Sequence, residues 1–167
     1  MNINVIECTI NGIICFTGIL SFVLSYFTYK KKDYVDMYFR TEENIKFIES
    51  KKIVYNLDAN LNTDITINGK KVSEDDVSIA ISCIINNYHH YGLLLKHNYL
   101  PKWIFCNKFK GLTPSGISII RMYKKVLPYI NGRKNSNNPK YACYFEYLIK
   151  IMERTCPQEF KSYFNTF

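Results

Sequence analysis

The sequence predicts an all-α fold, in which one N-terminal transmembrane helix precedes a cytoplasmic helical bundle that contains a small hairpin or loop insertion. Two observations lead to this prediction. The 22 residues from Cys8 to Tyr29 carry no charged side chain. Beyond them, apolar residues recur at three- and four-residue intervals, which is the period of an amphipathic helix. We expect four parts: a flank over 1–7, the transmembrane helix over 8–29, a juxtamembrane helix over 30–52 and a cytoplasmic helical domain over 53–167.

The predicted transmembrane helix has the length that a bilayer requires. At roughly 1.5 Å per residue it is about 33 Å long, against a hydrocarbon core of roughly 30 Å. A cleaved signal peptide is the rival interpretation, but it requires a basic N-terminal region, and residues 1–7 contain no Lys or Arg. Lys30, Lys31 and Lys32 follow the helix directly. The positive-inside rule therefore predicts a single-pass protein of the cytoplasmic (inner) membrane, with the N-terminus outside and the C-terminal domain in the cytoplasm.

Small and polar residues lie along one face of this helix, at intervals of four, three and seven: Asn11, Cys15, Gly18 and Ser25. Small side chains let helix backbones approach, and an asparagine can donate a hydrogen bond across a helix pair. The pattern predicts a homo-oligomer that associates through the transmembrane helix. The alternative is a lone helix that merely tolerates these residues, and the sequence does not decide between the two.

Local signals place the elements of the cytoplasmic part. Ser73 and Asp76 have the spacing of a capping box, and Thr113 before Pro114 is an N-cap followed by proline at the first helical position. Asn68-Gly69 lies between β-prone residues and predicts a hairpin within Ile65–Val72. The predicted helices run from Asp33 to Lys52, from Ser73 to about His97, from Thr113 to just before Gly132 and from Asn138 through Met152, with a short last segment after Pro157.

Basic charge is concentrated in the second half of the chain. The stretch from Lys96 to Lys140 contains ten Lys or Arg and no Asp or Glu. This bias predicts an anionic lipid or protein partner. Nucleic acid is a weaker candidate, because Lys outnumbers Arg eighteen to four and lacks the planar fork that reads bases. The predicted contacts with an anionic surface are Lys30, Lys31, Lys32, Lys102, Trp103, Lys108, Lys110, Arg121, Lys124 and Lys125. The alternative is an ordinary solvated face on a lysine-rich protein.

Sequence patterns of common enzymes and metal sites are absent. There is no glycine-rich phosphate loop, no G-x-S-x-G and no H-E-x-x-H, and the basic stretch lacks the clustered carboxylates of a two-metal nuclease. His89, His90 and His97 share one helix without a partner carboxylate, so we interpret them as polar or packing residues. The six cysteines show no disulfide or zinc spacing. The sequence favours a protein without catalysis, and predicts no cofactor and no metal.

Several segments are similar to those of a known family: the N-terminal span, Asn86-Asn87-Tyr88 with Gly92 after it, Tyr129-Ile130 with Arg133, and Phe145-Glu146 to Leu148. In these segments the chain resembles a bacterial family of single-pass membrane proteins whose cytoplasmic part is a domain of unknown function. The resemblance implies a helical cytoplasmic domain without established activity, and an ion pair between Arg133 and Glu146. The histidine pair and the lysine-rich stretch depart from the family pattern.

Two functional hypotheses follow from these patterns. The first is a membrane-tethered interaction or regulatory module with a basic cytoplasmic surface and no catalysis. The second is an oligomerising membrane effector of the phage-defence or toxin type, which perturbs the bilayer. An enzyme of unrecognised type that uses the three histidines ranks last.

Overall fold

The computed structural model describes residues 3–57, 66–67, 69–136 and 138–166, with the side chains of 3–12, 70 and 166 left out. These residues form six helices and two short antiparallel hairpins, which confirms the all-α prediction. The helices are α1 (Ile3–Glu42), α2 (Ile45–Tyr55), α3 (Glu74–Lys96), α4 (Pro114–Asn135), α5 (Cys143–Thr155) and α6 (Pro157–Thr166). The strands are β1 (Thr66–Ile67), β2 (Lys70–Lys71), β3 (Cys106–Asn107) and β4 (Gly111–Leu112).

Helix α1 runs without interruption for 40 residues. All its side chains from residue 13 to residue 33 are exposed, including large apolar ones such as Phe22. A soluble domain rarely exposes an apolar surface of this extent, whereas a bilayer accepts it. By length and composition, α1 can cross a membrane.

The predicted uninterrupted helix from Asp33 to Lys52 was wrong, because α1 and α2 are separate helices and Asn44 lies between them. The Asn44 Oδ1 atom accepts hydrogen bonds from the main-chain N–H groups of Lys46 (3.0 Å) and Phe47 (3.4 Å). Asparagine is a preferred N-cap because its side chain pairs main-chain N–H groups that the first helical turn leaves free. The break allows α2 to pack on α3, where the Phe47 ring lies 5.6 Å from that of Tyr88.

The last turns of α1 belong to the core of the domain. Tyr38 is 1% exposed, and its ring centroid lies 4.8 Å from that of Tyr91 and 5.6 Å from that of Phe105. Both pairs have the edge-to-face geometry that aromatic rings prefer. Burial raises the pKa of the Tyr38, Tyr88 and Tyr91 hydroxyls, and the nearby Glu42 carboxylate adds to this shift. The helix that leaves the predicted membrane span is therefore fixed to α3 by packing.

Helix α3 begins as predicted. The Asp76 N–H donates to Ser73 Oγ (3.1 Å), and the Ser73 N–H donates to Asp76 Oδ2 (3.3 Å), which completes the capping box. Further along, Gly92 lets α5 approach closely: a Cβ atom there would lie 1.8 Å from the main-chain oxygen of Tyr144. α3 is thus the helix on which both α2 and α5 pack.

The hairpin predicted at Asn68-Gly69 is confirmed for the residues that the structure describes. Thr66 pairs with Lys71 and Ile67 with Lys70. Gly69 has φ +77°, in the left-handed region that favours glycine. Asn68 itself lies outside the described residues.

A second hairpin was not predicted. A 3-10 turn over Lys102–Ile104 is followed by the β3–β4 hairpin, in which Cys106 pairs with Leu112 and Asn107 with Gly111. The Leu112 N–H at the end of this hairpin donates to Glu159 Oε2 of α6 (2.7 Å). The acceptor is 47 residues away in the chain, so a local pattern does not reveal it.

Helices α4 and α5 match their predictions in part. α4 begins at the predicted Thr113 N-cap, whose Oγ1 accepts from the Gly116 N–H (3.1 Å). It passes through Gly132, where an end was predicted, and continues to residue 135. α5 begins later than the predicted Asn138, because Ala142 at φ +58° has a left-handed conformation that a helix does not continue through.

Candidate membrane-contact surface

Helix α1 enters the folded domain one turn after Lys30. The Tyr34 ring stacks on that of Tyr99 with 4.9 Å between centroids. Tyr99 lies in the turn that follows α3. At a rise of roughly 1.5 Å per residue, Tyr34 is about 6 Å along the helix axis from Lys30. The turn after α3 therefore lies close to the end of the predicted membrane span.

The segment from Tyr99 to Phe105, called the Trp103 segment below, contains an exposed tryptophan. Trp103 is 57% exposed, whereas its neighbours Ile104 and Phe105 are buried. The contact between Phe105 and Tyr38 holds one end of the segment on α1, and the stacking of Tyr99 holds the other end. Trp103 thus lies in a short segment that contacts α1 on both sides.

The tip of the β3–β4 hairpin combines an aromatic ring with two lysines. Phe109 is 93% exposed, and Lys108 and Lys110 beside it are exposed as well. The Asn107 Oδ1 atom accepts a hydrogen bond from the Phe109 N–H (2.9 Å), which orders the turn. An aromatic ring flanked by lysines suits a membrane interface, where the ring enters the headgroup layer and the ammonium groups stay in water.

The residues predicted to contact an anionic surface fall into two groups. The first group is exposed and lies in two places, directly after the predicted span and around the second hairpin. Its members are Lys30, Lys31, Lys32, Lys102, Trp103, Lys108 and Lys110. Within this group, Lys30 Nζ lies 5.0 Å from the centroid of the Tyr26 ring, a cation–π contact at the end of the span.

The second group, on α4, is partly buried and bonded within the chain. Its donor and acceptor pairs are Arg121 NH1 with Tyr55 OH (2.8 Å), Lys124 Nζ with the Phe164 carbonyl (2.8 Å) and Lys125 Nζ with the Leu57 carbonyl. Together with Tyr55, these three cations line a pocket of about 180 Å³.

The predicted association face of α1 is exposed where the structure describes its side chains. Cys15, Gly18 and Ser25 are all exposed, and a Cβ atom at Gly18 would meet no atom within 4 Å. Asn11 lies within α1, but its side chain is outside the described ones. Contact between two copies through this face stays a prediction.

The three histidines do not converge. The His89 ring packs edge-on against Tyr144 at 5.0 Å, whereas His97 stacks on Tyr99 at 6.4 Å. Burial lowers the pKa of His89, and His90 adds to this shift. In the described part of the chain, no group of three His, Cys, Asp or Glu side chains is placed to hold a metal ion.

The ion pair that the resemblance implied has a different partner. Glu146 Oε1 accepts a hydrogen bond from Lys134, while the Arg133 guanidinium donates to the Tyr129 hydroxyl at 3.0 and 3.2 Å. Because α4 continues past Gly132, Arg133 and Lys134 are both helical, and their side chains point in directions about 100° apart around the helix axis. That rotation places Lys134, and not Arg133, beside α5.

Residues 10–152 match a family described as a domain of unknown function, DUF4760. The chain belongs to the DUF4760 family. The match begins inside the predicted membrane span and ends within α5, so the family unit includes α1 together with the helices that pack around α3. It ends before α6 and Glu159, which anchor the second hairpin. No curated protein and no solved structure shows significant similarity to the chain.

Proposed function

We propose that this DUF4760 protein is a membrane-tethered interaction or regulatory module whose basic surface faces the cytoplasmic leaflet of the membrane. One observation carries the proposal: α1 is a single helix that exposes apolar side chains before Lys30 and buries Tyr38 in the core of the domain. A flexible linker would let the domain move freely. A continuous helix instead holds the domain at one height and in one orientation.

The charge distribution supports an anionic lipid surface as the partner of the first group of predicted contacts. Lys30, Lys31 and Lys32 follow the span, and each cation near such a surface contributes roughly 1 kcal/mol. The Trp103 segment is held on α1 within two turns of these lysines. Its exposed indole is suited to the headgroup layer, where tryptophan is enriched.

Membrane insertion and orientation are tested together in cells. After alkaline carbonate extraction, the full chain should stay in the membrane pellet, because an inserted helix resists conditions that release peripheral proteins. A reporter that is active only in the cytoplasm should be active at the C-terminus and inactive at the N-terminus. Release by carbonate contradicts the tether, and the opposite reporter result contradicts the orientation.

The surface contact is tested by fluorescence, because Trp103 is the only tryptophan of the chain. In nanodiscs whose lipids carry bromine on the acyl chain, we expect Trp103 emission to be quenched and shifted to shorter wavelength, more strongly with anionic than with zwitterionic lipids. A Lys102→Gln variant should reduce the preference for anionic lipid. A double variant, Trp103→Phe with Phe109→Trp, reports the hairpin tip in the same way. Equal emission with and without bromine contradicts contact by the probed residue.

The exposed small-residue face of α1 favours the oligomerising membrane effector as a second candidate. Among the described residues, a Cβ atom at Gly18 would meet nothing within 4 Å, so this part of the face is open to a second copy. Induction in cells should then depolarise the membrane, and Asn11→Leu or Gly18→Leu should abolish the effect. Ile19→Leu, one residue further round the helix, is the matched control. Depolarisation that survives Gly18→Leu counts against this face, and unchanged potential counts against the effector.

A further inference from the structure

A cavity of about 600 Å³ lies where the last turns of α1 meet the start of α2 and the middle of α3. Its volume falls within the roughly 300 to 1,000 Å³ of sites that hold small molecules. Its lining residues lie between Asp33 and Phe47 and on α3, in segments that the structure describes without a gap. Trp103 and the β3–β4 hairpin do not line it. The cavity is therefore separate from the exposed residues around the second hairpin.

The end of the cavity nearest the predicted span is acidic. Asp33 and Asp36 lie one turn apart on α1, and both are exposed. Neither carboxylate forms an ion pair with a described residue. An ionised carboxylate only accepts hydrogen bonds, whereas an ammonium group has three N–H donors. These two residues, called the acidic end below, therefore suit the ammonium group of a ligand.

The other end of the cavity, at the junction of α1 and α2, is basic. Arg40 and Lys46 are exposed there, and neither is ion-paired with a described residue. The Asn44 Oδ1 atom is already engaged as the N-cap of α2, which leaves the two N–H donors of its Nδ2 group for a partner. Guanidinium, ammonium and amide groups all donate to a carboxylate. Arg40, Asn44 and Lys46, called the basic end below, suit the acid group of a ligand.

Apolar and amide side chains complete the wall. Met37 of α1 and Phe47 of α2 line the cavity with a thioether and an aromatic ring. On α3, the Asn87 Nδ2 atom donates to the Cys83 carbonyl (2.8 Å), which orients the amide. The Asn87 Oδ1 atom accepts no hydrogen bond from a described residue, so it can accept one from an N–H group of a ligand. The wall therefore suits a molecule with an apolar part and an amide N–H.

The distance between the two ends indicates the length of the ligand. Asp33 and Arg40 are seven residues apart on one helix, which places them about 10 Å apart along its axis and on the same side. An extended peptide spans roughly 3.3 to 3.6 Å per residue, so three residues span about 10 Å between their charged termini. A free amino acid is too short to reach both ends.

We propose that this cavity binds a short peptide of about three residues with free termini, its ammonium group at the acidic end and its carboxylate at the basic end. Such a ligand would connect the part of α1 next to the predicted span with α2 and α3, and would stabilise that packing by mass action. The site does not depend on the proposed contact of Trp103 with lipid, so either can fail without the other.

Calorimetric titration of the full chain in neutral detergent tests the site, with the tripeptide Ala-Leu-Ala as the probe. We expect the N-acetylated and the C-amidated forms to bind about tenfold more weakly or worse, because each lacks one charged terminus and its hydrogen bonds. Free alanine carries both charges but does not span the cavity, and should bind more weakly than either. A wild-type chain that does not bind the free tripeptide overturns the proposal, and so does equal affinity for the free and the blocked forms.

Variants at the two ends test the direction of the bound peptide. Asp36→Asn should weaken the free tripeptide by about tenfold and leave the N-acetylated form unchanged, because that form already lacks the contact. Arg40→Gln should weaken the free tripeptide and leave the C-amidated form unchanged, for the same reason. Equal losses for the free and the blocked form in each variant contradict the proposed contacts.

A matched control separates the site from general charge. Glu43 is an exposed acid at the end of α1 that does not line the cavity, and Glu43→Gln should leave the affinity unchanged. If Glu43→Gln weakens binding as much as Asp36→Asn does, the proposed site is wrong. Circular dichroism checks that the helices of each variant are intact, which we expect because all the replaced side chains are exposed.

The headgroup of phosphatidylethanolamine carries the same two kinds of charge, although it separates them by less than a tripeptide does. A second titration, in phosphatidylcholine nanodiscs with and without phosphatidylethanolamine, distinguishes the two sources. An unchanged affinity for the tripeptide supports the soluble peptide. Competition by phosphatidylethanolamine that Asp36→Asn abolishes assigns the cavity to the lipid headgroup, and overturns the soluble peptide.

Discussion

Two glycines within helices show that the effect of a glycine on stability depends on the atoms that surround it. At Gly92 of α3, a Cβ atom would lie 1.8 Å from the oxygen and 2.5 Å from the carbon of the Tyr144 carbonyl. At Gly132 of α4, it would meet no atom of the described part of the chain within 4 Å. The first glycine permits the α3–α5 contact, whereas the second only weakens its own helix.

We predict that Gly92→Ala lowers the free energy of unfolding by about 1–3 kcal/mol or more, because main-chain atoms of α5 must move away. Gly132→Ala is the matched control, and should raise the free energy of unfolding by up to about 1 kcal/mol through helix propensity. Urea unfolding of the full chain in detergent, followed by circular dichroism, measures both. Equal stability of the two variants would be evidence against the close approach.

The buried tyrosines predict a response to alkaline pH. Burial raises the pKa of the Tyr38, Tyr88 and Tyr91 hydroxyls, and raises that of Tyr123 to about 12. The unfolded chain loses these protons near pH 10, before the folded chain does. Stability is therefore fully present below about pH 10 and decreases as the pH rises further. We expect the melting temperature to decrease above pH 10, and Tyr38→Phe to make this decrease shallower. A melting temperature that is constant to pH 11.5 contradicts the prediction.

At the scale of elements, Asn44 decides where α1 ends and α2 begins. Its Oδ1 atom pairs the main-chain N–H groups of Lys46 and Phe47, which the first turn of α2 would otherwise leave unpaired. The position of Phe47 against Tyr88 depends on this boundary. The cap therefore contributes both to the local helix and to the packing of α2 on α3.

Replacement of Asn44 by alanine should reduce the free energy of unfolding by about 1 kcal/mol, the usual contribution of an N-cap. Asn44→Asp keeps an acceptor at the same place and should stay within about 0.5 kcal/mol of the wild type. The two variants are compared by thermal unfolding under the same conditions. If alanine and aspartate have the same effect, the hydrogen bonds of Asn44 are not what stabilises the start of α2.

At the scale of the whole molecule, α1 connects the predicted membrane span to the core. Its exposed apolar portion and its buried Tyr38 belong to one helix, and Tyr34 and Tyr38 contact residues on both sides of the Trp103 segment. In the proposed membrane arrangement, the length of α1 between Lys30 and Tyr34 sets the height of Trp103 above the bilayer.

A helical insertion tests this connection. Seven residues of high helix propensity, placed between Lys32 and Asp33, lengthen α1 by about 10 Å and turn the domain by only about 20° from its original orientation. We expect the insertion to abolish the quenching of Trp103 by brominated lipid and to leave the melting temperature unchanged. The same seven residues appended after Phe167 provide the control. Quenching that persists after the insertion would show that Trp103 reaches lipid independently of α1.

Features whose signals lie within a few residues of one another were predictable from the amino-acid sequence. The uncharged run in α1, the Ser73–Asp76 capping box, the hairpin at Gly69 and the Thr113 N-cap are of this kind, because the groups that interact are neighbours along the chain. The end of α4 and the start of α5 were predicted less accurately, because Gly132 and Asn138 are compatible with more than one local conformation.

Contacts between groups that are distant along the chain depend on how the helices pack, and the sequence did not reveal them. Glu159 holds a hairpin 47 residues away, and the Leu57 and Phe164 carbonyls hold Lys125 and Lys124 across 68 and 40 residues. Helical periodicity identifies which side of a helix is apolar, but it does not specify which helix covers that side or at what rotation. The same limit explains why Lys134 and not Arg133 binds Glu146, and why three predicted surface cations line a pocket with Tyr55.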